Sequence, residues 1–159
     1  MMHKLTLVAI AAVVLSTGTS TAKSKDEFFI QRAKLTKQAD GSWSGRGTLD
    51  GVKGRLTLTG APDPATDPVE FDAKSGFHKL HWTWAAGKRR VEGCSRERII
   101  IRPHGALLWD GGGEITKTSR SERKYLGRKV GVYGPSNSSD PGHAQISIHE
   151  FAHQEVHCS

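Results

Sequence analysis

The chain has 159 residues, room for one domain, and carries 23 lysines and arginines against 16 aspartates and glutamates, a formal charge of +7. It shows no internal repeat, low-complexity tract or heptad pattern, which excludes solenoid and coiled-coil architectures. Its one long apolar run, Leu5 to Leu15, is shorter than the roughly 20 residues a helical membrane span needs.

That run follows a basic start, Met1 to Lys4, and precedes small residues in which Ser20 and Ala22 fit a secretory cleavage rule. Residues 1–22 are therefore expected to be a signal peptide, and residues 23–159 an extracytoplasmic domain, secreted or periplasmic, with no transmembrane segment in its mature form. Export makes the two cysteines legible, because oxidising compartments preserve disulfides and an even count leaves no thiol over. Cys94 and Cys158 are expected to pair, stapling the carboxyl terminus to the middle of the domain.

In chain order, Phe28 to Thr36 reads as a strand or a short helix. Ser42 to Leu49 places Trp43, Gly45, Gly47 and Leu49 on one side, and Arg55 to Thr59 places Leu56 and Leu58 inward. Asp50-Gly51 lies between them, and a type I′ turn needs positive φ at both central positions, so the two segments form a hairpin. Residues 60–76, with Pro62, Pro64 and Pro68, read as a long loop. Phe77 to Ala85 alternates so that Leu80, Trp82 and Trp84 share the core face and His81 points away from it.

Arg89 to Cys94 and Arg98 to Arg102 read as two short strands, Ala106 to Trp109 as a third, and Asp110-Gly111-Gly112-Gly113 as a turn into Glu114 to Thr118. Arg120 to Leu126 is a helical turn or irregular. Lys129 to Tyr133 is a strand, Gly134 to Gly142 a loop, and the chain is a strand again through Ile148, with helix and strand both open for residues 149–157. About ten short strands with glycine turns predict an all-β fold, a single small antiparallel β-barrel or β-sandwich.

Function is less legible. Basic residues run together in the second half, and Lys88, Arg89, Arg90, Arg120, Arg123 and Lys124 are the candidate contacts for an anionic partner, a polymer or an envelope component. Aromatic residues do not interleave with these clusters, which disfavours nucleic acid. The leading expectation is thus a non-catalytic binding or interaction domain.

A second stretch competes with it. His149-Glu150-Phe151-Ala152-His153 resembles the zinc-binding helix of the HExxH metallopeptidases. The resemblance covers five residues and implies zinc ligated by His149 and His153, with Glu150 as general base. A catalytic zinc needs a third protein ligand, and the six residues after His153 do not supply it as that family does; His143, His104 or His81 would have to. A third reading is a structural or non-catalytic metal-binding envelope protein. Ser95 and Ser119 lack a nucleophile-elbow context, and Gly111-Gly112-Gly113 lacks the lysine of a phosphate loop.

Overall fold

A computed structural model describes residues 28–63, 77–101, 107–137 and 140–150. Eight antiparallel strands follow in chain order: β1 Phe28–Lys37, β2 Trp43–Leu49, β3 Val52–Thr59, β4 His78–Ala86, β5 Arg89–Ile101, β6 Leu107–Thr118, β7 Lys129–Asn137 and β8 Asp140–Glu150. Each pairs with the next, and β8 pairs back to β1, so the sheet closes into an up-and-down barrel. A 3-10 helix, η1 Arg120–Tyr125, lies between β6 and β7. The expected all-β domain is a barrel, not a sandwich. The signal segment, Cys158 and His153 lie outside the described residues.

An eight-stranded barrel has an interior just wide enough for side chains to fill. Here four tryptophans fill it: Trp43, Trp82, Trp84 and Trp109, each no more than 1% exposed. Glycines on neighbouring strands make room for them. A Cβ on Gly93 would enter the Trp82 ring, and one on Gly54 would lie 2.5 Å from Trp84. Trp43 and Trp109 meet edge to face at 5.1 Å, and the Trp84 indole N–H donates to the Gly47 carbonyl at 3.0 Å. Leucine, isoleucine and valine side chains, with Phe29, Tyr125, Ala33 and Ala144, complete this core.

Three readings of the sequence change. Arg89–Ile101 is one strand of 13 residues, not two. Its inward positions include Ser95 and Glu97, both buried, and such polar residues break the apolar alternation that marks a strand in sequence. Residues Asp110 to Gly113 are not a turn but the middle of β6, where Gly113 pairs with Ser95 and Gly111 with Glu97. A side chain at either glycine would collide with those partners, so glycine here serves close packing. Finally, the expected loop at 134–142 is largely strand, because β7 and β8 must pair along their length to close the barrel. Eight strands result among the described residues, where the sequence predicts about ten along the chain.

The Asp50-Gly51 hairpin forms as read, with φ of 48° and 74° at its two turn residues. In β1, Arg32 has φ 46° and sits in a bulge between Gln31 and Lys34, its backbone N–H donating to Ser147 Oγ. The extra residue lets Ile30 and Ala33, three apart, both face inward. Arg89–Ile101 carries Cys94 at an outward-alternating position, yet Cys94 is only 4% exposed.

Candidate anion-binding wall

The topology brings the β4–β5 turn, the Asp50-Gly51 turn and η1 to one end of the barrel. The six basic residues singled out from the sequence therefore do converge. Half of them are already engaged with carboxylates. Arg89 donates to both oxygens of Glu122, at 2.6 and 3.2 Å, Arg90 to Glu92 at 2.6 Å, and Lys124 to Asp50 at 2.7 Å. Glu122 is 2% exposed, and Tyr125 is buried edge-on against Phe29 at 4.7 Å while its hydroxyl donates to Asp50. These contacts clamp η1 over the barrel mouth.

The titration behaviour follows. Hydrogen bonding from Arg89 holds the Glu122 carboxyl below the usual range despite burial, and Lys124, then Tyr125, does the same for Asp50. Burial, then the bond to Asp50, pushes the Tyr125 hydroxyl up. Only Lys88, Arg120 and Arg123 of the six are exposed without an acidic partner among the described residues.

A different surface is basic and, apart from Lys37, which pairs with Asp63, its cations have no acidic partner among the described residues. Strands β1 to β4 contain no aspartate or glutamate at all. Register then aligns cations that sequence scatters. Lys34 on β1 lies opposite Arg46 on β2, and Arg46 lies directly opposite Arg55 on β3, all three exposed. Neighbouring strands are about 4.8 Å apart, so this is a row of like charges one strand-spacing from each other. Like charges directly opposite destabilise a sheet. Exposed Lys53 lies opposite Thr48 one pleat further along.

One pleat step on the other side, a row of hydroxyls runs parallel to the cations: Thr36, Ser44, Thr57 and Thr83, each paired across to the next. Arg55 Nε donates to Ser44 Oγ at 2.9 Å, which spends the inner donor of the guanidinium and leaves its two terminal nitrogens outward. Between the rows the wall dips into a shallow, open depression of about 630 Å3, bordered by Ser44, Arg46, Lys53, Arg55 and Ala85. Apart from inward Glu97 and exposed Val52, aliphatic side chains of the described strands mostly point into the barrel and charged ones out, the reverse of the pattern in a membrane barrel. Among the described residues no helix is long and apolar enough to cross a membrane.

The histidine stretch is described only in part. His149 and Glu150 are the last two residues of β8, so successive side chains alternate sides there, whereas convergence of His149 with His153 on one ion needs a helix. The His149 ring meets Tyr133 edge-on at 5.3 Å, and Glu150 accepts from Arg128 at 2.8 Å. Among the described residues no three histidine, cysteine or carboxylate side chains cluster.

Reading contiguous basic runs led to the barrel end and missed the β1–β4 wall. The signal for the wall was present: candidate strands free of acidic residues, with Asp40 and Asp50 falling in the turns between them, and a hairpin turn whose position fixes Arg46 opposite Arg55. No protein-family model, curated protein or solved structure matches the chain.

Proposed function

We propose that the protein is an exported, non-catalytic binding domain that holds an anionic polymer against the outer wall of β1–β4, with Lys34, Arg46, Lys53 and Arg55 as its contacts. The observation that carries this reading is the row Lys34, Arg46, Arg55, in which each cation faces another across the strands and no carboxylate of β1–β4 offsets them. An arrangement that costs folding stability is accounted for when an anion neutralises it. Lys88, Arg120 and Arg123 add to the positive field that draws such a partner in. The extended conformation of His149 and Glu150, and the engagement of Glu150 by Arg128, weigh against the zinc-hydrolase alternative.

Export through a signal at residues 1–22 and a Cys94–Cys158 bond belong to the same reading. The burial of Cys94 on the outer face is in keeping with a segment of chain tied down over it. A bond closing so long a loop is worth roughly 4 kcal/mol in the chain-entropy description. Alkylation with and without reductant, read by mass, tests it.

Retention on an anionic matrix tests the function. The protein is expected to bind at low salt and to elute as screening rises. Arg46→Glu with Arg55→Glu is expected to elute at much lower salt than Lys88→Glu with Arg120→Glu and Arg123→Glu, although the second set reverses one more cation than the first. Elution of the triple variant at lower salt than the double one would show that net charge drives retention, and equal elution would show no preference for the wall; either result would defeat the assignment.

A further inference from the structure

Resting on that reading, we infer that the wall's ligand is a linear acidic polysaccharide, with one anionic group per sugar ring, lying across the strands. Two parallel rows carry the inference. Cations recur once per strand at Lys34, Arg46 and Arg55, about 4.8 Å apart, a step comparable with the length of one sugar ring. Hydroxyls recur at the same step at Thr36, Ser44, Thr57 and Thr83. They lie two residues away along each strand, a displacement of about 7 Å.

A polymer made only of anions can use the second row solely as hydrogen-bond donors and has no hydroxyls of its own to offer it. A uronate chain uses both: its carboxylates meet the cation row, and its ring hydroxyls meet side chains that donate and accept. The terminal nitrogens of Arg55, freed by the bond from its Nε to Ser44, form the planar fork that suits a carboxylate. On β1–β4 no tryptophan or tyrosine is exposed, the one exposed aromatic ring described on these strands is that of His81, and Phe77, just before β4, lies under Arg96 and Arg98, so bases have no row of platforms there on which to stack. The open, shallow form of the depression admits the middle of a chain as well as its end.

Calorimetric titration of the purified protein with polygalacturonate, polyphosphate, duplex DNA and a neutral galactan tests the inference. Polygalacturonate is expected to bind more tightly than polyphosphate or DNA at equal charge concentration, and the galactan not at all. Thr36→Val, Thr57→Val and Thr83→Val together keep β-branched shapes and remove three hydroxyls. This variant is expected to lose about tenfold in polygalacturonate affinity and clearly less for polyphosphate, which uses the hydroxyls only as donors. If the triple variant does not fold, Thr57→Val alone, at the centre of the row, is expected to lose two- to threefold. Arg46→Gln with Arg55→Gln is expected to weaken both polyanions.

Equal affinity for polyphosphate, DNA and polygalacturonate, or a triple threonine variant that binds polygalacturonate unchanged, overturns the polysaccharide assignment while leaving the anion-binding wall in place. Absence of binding to every polyanion overturns both.

Discussion

The two halves of the barrel wall handle positive charge in opposite ways. On β5–β7 and η1, cations stand beside carboxylates: Arg90 with Glu92, Lys129 with Glu114, Arg89 with Glu122. On β1–β4 Lys34, Arg46 and Arg55 stand beside one another, those strands hold no carboxylate, and only Lys37, at the end of β1, has an acidic partner, Asp63 from the segment after β3. The first arrangement contributes to stability and needs nothing further. The second is a local cost of the fold. The difference teaches that the density of basic residues along a chain is a poor guide to where an anion binds; what matters is which cations the fold leaves without a counter-charge.

The strongest way to break this contrast is charge reversal. Arg46→Glu with Arg55→Glu is expected to lower affinity for an anionic polymer by about a hundredfold, since like-charge juxtaposition costs several kcal/mol at an interface. Titration at fixed salt measures it.

On the other side of the barrel, Glu122→Gln is expected to cost about 2 kcal/mol of stability by leaving the partly buried Arg89 without its counter-ion, and to leave polymer affinity unchanged. Urea unfolding checks the first part. The acid dependence should change with it. Glu122 and Asp50 have folded pKa values depressed by Arg89 and by Lys124, respectively. Each binds fewer protons folded than unfolded at mildly acid pH. Their contribution is complete above the ordinary carboxylate pKa of about 4.3 and is lost as pH falls through the lower folded value. Glu122→Gln should therefore flatten the acid limb of the stability curve.

Two smaller effects sharpen the comparison. Lys88→Gln, Arg120→Gln and Arg123→Gln together are expected to change polymer affinity by no more than about threefold, the size of a steering effect at a distance from the contact. Arg46→Thr is expected to raise stability by about 0.5 kcal/mol, because it removes a cation facing two others. Added salt should stabilise the parent more than this variant.

Much of the architecture was legible. Asp50-Gly51 announced the hairpin, and Leu80, Trp82 and Trp84 announced the core face of β4. What misled were residues whose local signal the closed sheet overrides. Gly111 and Gly113 look like a turn and are instead the space into which Glu97 and Ser95 pack. Gly134 and Pro135 look like a loop and pair with Trp109 and Leu108. The bulge at Arg32 left no mark, since nothing in arginine favours positive φ. The wall was half legible: the hairpin turn sets Arg46 against Arg55, but Lys34 joins them only through the register that the β1 bulge imposes.

The salt dependence of polymer affinity, compared between the parent and Arg46→Gln, tests the central claim most directly. Counter-ion release makes the slope of log affinity against log salt a count of cations in contact. The account predicts a shallower slope, by about one unit, for Arg46→Gln, and the parent slope for Lys88→Gln. A parent slope in Arg46→Gln with a reduced one in Lys88→Gln would place the anion on the η1 end and contradict it.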